Sequence, residues 1–409
     1  MSEESKEFKK VVKLIMVTDQ NNNKEYQMFD SGTGSFKVNY GRVGGRFTEE
    51  NYPIEKWEPL YKSKIKKGYK DVTTLFAETV QSPNGFIDIT NPLIKTFINK
   101  LQAFAKRSIS DNYTVAVSNV TMQQVDEAQR IVDEISNMLA IGNVTQPVNT
   151  KLLNLYTVIP RKMNKVQNFI FNFPVITDQN IETVRRLVSS EQDTLDVMKG
   201  QVSIKDDSTS IESKGMTILD SIGVKMYTVE QNEVNSIRMK MQDNANTFIS
   251  AFRVENVKTQ KRFNEWIEKA ANKDVQTFWH GSRNENWWNI LDTGLLIRPS
   301  NAVSTGAMFG NSIYFANKFQ KSLGYTSKRG SCWTGGTADT GLLSLYDVHV
   351  GNQYKIQKHS SDCYNLNEKN LKAKGNYDSV FALRGADLRN DEFMVYNVAQ
   401  TTIKYIVEV

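Results

Sequence analysis

Three polar residues stand in stretches that otherwise read as buried. His280 lies in Phe278-Trp279-His280-Gly281-Ser282-Arg283. Tyr314 lies in Met308-Phe309-Gly310-Asn311-Ser312-Ile313-Tyr314-Phe315-Ala316, and Glu392 in Asp391-Glu392-Phe393-Met394-Val395-Tyr396. Each stretch has the apolar and aromatic density of a short strand carrying one polar side chain. An imidazole, a phenol or a carboxylate buried without partners costs kilocalories, so the three are expected to converge on one another or on a ligand. Any one alone reads as a satisfied core residue. As a set, with Lys321-Ser322-Leu323-Gly324-Tyr325 close behind the second stretch, they read as one site.

The elements around these stretches must hold them together. Lys225–Val229 reads as a strand, and a helix opens at Asn232 and reaches about Asp243. Thr247–Asn256 reads as a strand and Arg262–Ala271 as a helix with Phe263, Trp266 and Ile267 inward. Gly341–Val348 and Asn376–Val380 complete the fold as strand and loop. Helices early and antiparallel strands late predict an α+β domain, not a doubly wound one. Neither a Gly-x-Gly-x-x-Gly fingerprint nor a Walker loop occurs, so a dinucleotide would not be held as a dehydrogenase holds it.

Upstream, Val12–Val17, Lys24–Phe29 and Phe36–Tyr40 read as an antiparallel meander closed by turn-like polar and glycine clusters. A helix from Glu55 to Lys67 follows, with Trp57, Leu60, Tyr61 and Ile65 at helical spacing. Gln81-Ser82-Pro83-Asn84-Gly85 is a linker by composition. Beyond it Leu93, Phe97, Leu101 and Phe104 mark one amphipathic stripe, and Val125, Ala128, Ile131, Ile135 and Met138 another. Asn149–Ile159 and Asn180–Met198 add helices, which together predict an α-helical bundle. Asp206-Asp207-Ser208-Thr209-Ser210 reads as a polar hinge. The expectation is a multidomain α+β chain with domains at 1–82, 83–205 and 206–409.

A chain of 409 residues is long enough for two or three cores. Its 51 Lys plus Arg against 45 Asp plus Glu give a formal charge of +6, which permits a polyanionic partner without demanding one. Two cysteines (Cys332, Cys363) and three histidines (His280, His349, His359) exclude a disulfide framework and zinc fingers, and no metal site is expected. A reducing interior is expected over secretion. Met1–Lys10 lacks the apolar core of a signal peptide, and no run of about 18 apolar residues suggests a membrane span.

His280-Gly281-Ser282, the segment Gly306 to Tyr325, and Glu392 before Val395-Tyr396 resemble the catalytic domain of the poly(ADP-ribose) polymerases. The resemblance covers about the last half of the chain. It implies a diphtheria-toxin-like ADP-ribosyltransferase fold, NAD+ as substrate, and a His280, Tyr314, Glu392 triad. It further implies that Gly281 and Ser322 bind the nicotinamide carboxamide, and that Tyr314 and Tyr325 sandwich the pyridinium. His280 and Ser282 would hold the adenosine side, with Lys321 assisting acceptor placement and Met308 contacting the acceptor. Glu392 would bind the nicotinamide-ribose 2′-OH and activate the incoming hydroxyl. Leu296 stands where well-studied members carry an arginine near the adenosine, and Arg298 is its expected substitute.

Tyr40-Gly41-Arg42-Val43-Gly44 resembles the hallmark of the WGR domain, with Tyr40 in the tryptophan's place. That resemblance implies a DNA-end reader using Tyr40 for stacking and Arg42, Arg46, Lys64, Lys66 and Lys67 for phosphates. Leu153-Asn154-Leu155-Tyr156-Thr157-Val158-Ile159-Pro160 resembles the helical regulatory domain of DNA-dependent members, although Arg161-Lys162 replaces their usual acidic loop. The implied protein is a poly-ADP-ribosyltransferase activated by DNA ends or nicks in a DNA-damage response, modifying itself and other proteins. It is expected to be monomeric without DNA, and nuclear in a eukaryote or otherwise in cytoplasm or nucleoid. A mono-ADP-ribosyltransferase of the same layout and an inactive DNA-end-binding scaffold remain open.

Overall fold

The computed structural model describes residues 10–73, 85–114, 117, 120–140, 144–172, 178–209, 215–297, 308–385 and 387–409. Two compact units emerge: one from residues up to 81 with 106–203, the other from 82–105, 204–300 and 304–409.

In the first unit β1 (Lys10–Thr18), β2 (Asn22–Asp30), β3 (Ser35–Arg42) and β4 (Thr48–Pro53) precede α1 (Trp57–Lys66) and the short β5 (Lys70–Asp71). All pairings are antiparallel, in the order β4-β3-β2-β1-β5. The period-2 pattern puts Val12, Leu14, Tyr26, Met28, Phe36 and Val38 on one face, where Trp57 of α1 joins their core. Ile15, Asn23 and Glu25 point the other way and are buried too.

The helices are α2 (Pro92–Asn112), α3 (Met122–Ala140), α4 (Gln146–Val158) and α5 (Asp178–Thr209). α4 lies against β1, which explains the second buried face of that strand. Two sequence readings change. In α2 the inward stripe is Ile94, Phe97, Ile98 and Leu101, while Leu93 is 63% exposed. The side-chain oxygen of Asn91 accepts from the backbone N–H of Leu93 and Ile94 (3.0 and 3.3 Å), so Leu93 falls in the capped first turn. Residues 206–209, read as a hinge, continue α5. Polar residues with no Gly or Pro among them lower helix propensity only slightly.

The second unit contains α6 (Ile218–Ser221), β6 (Val224–Thr228), α7 (Gln231–Met241), β7 (Ser250–Asn256), α8 (Val257–Lys269), β8 (Val275–Ser282), α9 (Trp287–Thr293), β9 (Ile313–Phe315) and α10 (Phe319–Leu323). It ends with β10 (Leu342–His349), β11 (Gln353–Ile356), α11 (Glu368–Gly375), β12 (Ser379–Ala382), β13 (Glu392–Val395) and β14 (Thr401–Glu408). One sheet runs β6-β7-β14-β10-β8 and is antiparallel throughout; the other runs β11-β12-β13-β9, with β11 parallel to β12. Leu342, Tyr346 and Val348 of β10 enter one core, and Leu343 and Leu345 enter another on the opposite face. A strand covered on both faces reads as a continuous apolar run, not an alternation. β8 repeats this, with Phe278 in the first core and Trp279 in the second.

Candidate active site

His280, Tyr314 and Glu392 are far apart in the chain and are brought together by strand register. Trp279 and Ala316 exchange backbone hydrogen bonds (2.8 and 3.0 Å), sewing β8 to the end of β9. β9 in turn pairs with β13, Met394 opposite Tyr314 and Phe393 opposite Phe315. Glu392 therefore starts β13 just past the last paired residue of β9.

His280 shares its face of β8 with Phe278. Its Nδ1 lies 3.0 Å from the carbonyl oxygen of Tyr314. A carbonyl only accepts, so Nδ1 carries the proton and Nε2 keeps its lone pair. Burial pushes the imidazole pKa below its usual value, although the Tyr314 carbonyl pulls the other way. The ring is thus neutral at physiological pH, with an acceptor nitrogen unbonded among the described residues.

The Tyr314 hydroxyl accepts from the Phe309 N–H (3.0 Å) and donates to the Gly310 carbonyl (3.1 Å). Tyr396 donates to the Phe309 carbonyl (2.6 Å), so two phenols hold this turn. Gly310 is needed there: its φ is +73°, and a Cβ would come 2.1 Å from the Leu366 carbonyl oxygen. Burial pushes the Tyr314 phenol well above its ordinary range. Met308, beside the turn, has its carbonyl oxygen 2.7 Å from His359 Nε2.

Gly281 faces α10, where a Cβ would lie 1.9 Å from the Ser322 carbonyl oxygen. Only a glycine lets the two backbones meet. Ser322 is buried, and its carbonyl accepts from the Tyr325 N–H (3.1 Å). Tyr325 is 42% exposed. Burial and then the negative charge of Glu392 push its phenol up to about 12. Ser282 Oγ accepts from Asn286 Nδ2 (3.0 Å), fixing the end of β8.

Sequence reasoning missed the partner of Glu392. Lys321 Nζ pairs with Glu392 Oε1, their side chains 12% and 16% exposed. Burial lowers the Lys321 pKa, while Glu392 and Asp391 oppose the shift. The i to i+1 adjacency of Lys321 and Ser322 was the available signal. On this short helix the backbone of Ser322 meets Gly281 and the side chain of Lys321 reaches the carboxylate. Oε2 of Glu392 has no hydrogen bond among the described residues. Arg298 lies outside the described residues, and Leu296 is exposed. His349 is a structural histidine: its Nδ1 accepts from Trp266 Nε1 (2.9 Å) and its Nε2 lies 2.6 Å from the Asn272 carbonyl oxygen.

The basic residues of the first unit divide into two groups. Arg42 Nη1 donates to the Asn21 carbonyl (3.1 Å), and its Nη2 lies within donating distance of Asn21 Oδ1, Met163 O and Asn164 O (3.1, 3.0 and 2.9 Å). It clamps the β1–β2 turn to the loop after α4. Lys64 Nζ sits over the rings of Tyr26, Tyr40 and Tyr69 at 3.7, 5.7 and 5.4 Å. Burial lowers its pKa, with Lys67 and Lys24 adding to the effect. Tyr40 stacks on Tyr26 (5.8 Å between centroids) and donates to Glu50 (2.7 Å). Arg46, Lys66 and Lys67 are exposed.

No group of three or more potential metal ligands occurs among the described residues, and no described helix is long and apolar enough to cross a membrane. The family model of the poly(ADP-ribose) polymerase catalytic domain matches residues 227–409. Two proteins of Invertebrate iridescent virus 6 resemble the chain. Uncharacterized protein 101L is 38% identical over 190 residues, covering 46% of this chain and 76% of that protein. A putative poly [ADP-ribose] polymerase-like protein, 100L, is 34% identical over 183 residues, covering 44% of this chain and 95% of that protein. The poly [ADP-ribose] polymerase of Drosophila melanogaster is 24% identical over 418 residues, covering 93% of this chain but 40% of its own length.

Proposed function

The chain belongs to the poly(ADP-ribose) polymerase family and is an NAD+ ADP-ribosyltransferase; from that premise we propose that it is a poly-ADP-ribosyltransferase stimulated by DNA ends or nicks. The observation that carries the catalytic reading is the convergence of His280, Tyr314 and the Lys321–Glu392 pair through one strand register.

The reaction breaks the glycosidic bond between nicotinamide and ribose. Nicotinamide leaves neutral with the bonding electrons, the ribose passes through an oxocarbenium-like state, and an acceptor oxygen takes its place. Gly281 and Ser322 hold the carboxamide, and Tyr314 and Tyr325 flank the ring. The Nε2 lone pair of His280 accepts from a hydroxyl of the adenine ribose, and Ser282 supports that end; Arg298 is the proposed adenosine contact. Lys321 fixes one oxygen of Glu392, which leaves the other for the nicotinamide-ribose 2′-OH and for the proton of the acceptor hydroxyl. Met308 lines the approach of the acceptor, which is a protein, this chain included, or a growing ADP-ribose chain.

For DNA, the free cations Arg46, Lys66 and Lys67 are the proposed phosphate contacts, with Tyr40 beside them. Arg42 and Lys64 act at one remove, by holding the turn and the aromatic cluster. The helical segment restrains the transferase until DNA binds, which shifts the population towards the active form. The setting we propose is a DNA-damage response.

The test incubates the full chain with labelled NAD+, with and without nicked DNA, over a range of salt. A DNA-stimulated ladder that fades as salt rises is expected. A single labelled band makes the protein a mono-transferase, a ladder indifferent to DNA removes the activation, and no label rejects catalysis.

A further inference from the structure

Trp333 is 66% exposed, yet it is held in place. Its backbone N–H donates to the Gly324 carbonyl (3.1 Å). The loop that carries it folds back on itself. Arg329 N–H donates to Ala338 O (2.7 Å), Ala338 N–H to Ser327 O (2.9 Å), and Ser331 Oγ to Leu323 O (2.9 Å). Thr334 Oγ1 bonds the Thr326 carbonyl. Residue 324 is a glycine where the loop presses closest: a Cβ there would lie 2.8 Å from Trp333 Cδ1 and 2.9 Å from Cys332 Sγ. The indole that this arrangement delivers is stacked on Tyr325, with centroids 6.1 Å apart and planes 21° apart. Offset stacks of this kind fix one ring against the other.

We propose that Trp333 is a second aromatic layer behind Tyr325 that sets affinity for the nicotinamide ring of NAD+. This rests on the reading of Tyr325 as the residue facing that ring. Tyr325 is itself 42% exposed, so without Trp333 its plane is poorly determined. A phenol fixed in plane presents its π-face to the pyridinium at a lower entropic cost than a free one. The attraction is greatest while the ring is cationic and fades as nicotinamide leaves neutral. Trp333 therefore stabilises the bound substrate more than the transition state, and it acts on binding, not on bond cleavage. It is a positioning residue, since it touches Tyr325 and not the reacting atoms.

The test uses the full chain with Trp333→Ala and Trp333→Phe. Nicotinamide is titrated by calorimetry and by tryptophan fluorescence, and NAD+ turnover is measured alongside. Trp333→Ala is expected to raise KM for NAD+ about three- to ten-fold, the range of one aromatic pair, with kcat unchanged or raised by up to the same factor, and to weaken neutral nicotinamide by a smaller factor. Trp333→Phe keeps a stacking ring and is expected to stay within about two-fold of wild type in both. Nicotinamide is also expected to change wild-type emission by a component that Trp333→Phe lacks. Unchanged KM and affinity in Trp333→Ala, a fall in kcat alone, or equal impairment of both variants overturns the proposal. So does an emission change identical in wild type and Trp333→Phe, a readout that survives if Trp333→Ala does not fold. A wild type that turns over NAD+ while Trp333→Ala matches it leaves the site reading intact. A wild type that does not bind nicotinamide overturns both.

Discussion

Arg161–Glu191 in the first unit and Lys321–Glu392 in the second are both buried cation–carboxylate pairs, and the two do different work. Arg161 and Glu191 are 4% and 6% exposed, joined by a direct ion pair, and line a cavity of about 10 Å³ with Tyr113, Leu155 and Leu195. The Arg161 guanidinium lies 4.4 Å from the Tyr113 ring centroid, and its carbonyl is within 3.3 Å of Asn23 Nδ2. That pair is shut off from solvent, although Nη1 of Arg161 has no hydrogen-bond partner among the described residues. Lys321 and Glu392 are also mostly buried, but one carboxylate oxygen is left without a partner among the described residues. A sealed pair serves packing and registry; a pair with an open oxygen can serve a substrate. Arg161, one of the two residues that stand in place of the acidic loop, pairs with Glu191 of α5 beside the Tyr113 ring.

The largest expected break falls on catalysis. Glu392→Gln keeps the shape but loses the charge and the base, so chain extension should fall by about 10²–10⁴-fold. Nicotinamide binding should hardly move. Product gels at matched NAD+ and a nicotinamide titration check both; long chains from the mutant would remove Glu392 from the chemistry.

The mirror experiment is Glu191→Gln. It strands a buried guanidinium, and the cost should be about 3–5 kcal/mol of stability, read from urea or thermal unfolding. If the mutant is as stable as wild type, the sealed pair is not the brace described above.

Lys321→Met sharpens the contrast. Glu392 keeps some exposure and one oxygen without a partner among the described residues, so stability should fall by less than in Glu191→Gln, under about 3 kcal/mol. Turnover should fall on the order of ten- to a hundred-fold, as expected when a catalytic group loses its fixed position. Steady-state kinetics and unfolding of the same preparation decide between the two effects. A large loss of stability with normal turnover would make this pair structural as well.

The smallest effect concerns His280. Its pKa is lowered in the folded chain by burial, whereas the unfolded chain takes up a proton near the usual value of about 6.5. The unfolded state therefore binds more protons as the pH falls through that value, and its stability relative to the folded state rises. The native stability attached to this group is full above about pH 6.5 and declines below it. Melting curves from pH 7.5 to 5.5 should show wild type losing more than His280→Gln, by about 1 kcal/mol at most. Parallel curves would mean that the imidazole takes up its proton alike in the folded and unfolded chain, and a wild type that gains on the mutant as the pH falls would mean that folding favours the charged ring.

Much of the site could be read in the chain itself. His280, Tyr314 and Glu392 were conspicuous as polar residues in apolar stretches, because burying them alone is costly and such positions are rarely accidental. Strands followed from local pattern: Val12–Val17, Phe36–Tyr40 and Gly341–Val348 all became strands with ends shifted by one or two residues. Gly281 announced a close backbone approach, and the Ser322 carbonyl supplies it. What local pattern could not decide was partnership. Lys321 is as plausible on the surface as against Glu392 until α10 and β13 meet. Arg42 is one cation among several until the loop at Met163 offers its carbonyls. Trp333 is an unremarkable loop residue until Gly324 admits its ring beside Tyr325. Side-chain type and spacing report what a residue can do within a few positions of itself. Which charge faces which, and which face stays open to a substrate, depends on contacts between segments far apart in the chain, and those exist only once the sheets have paired.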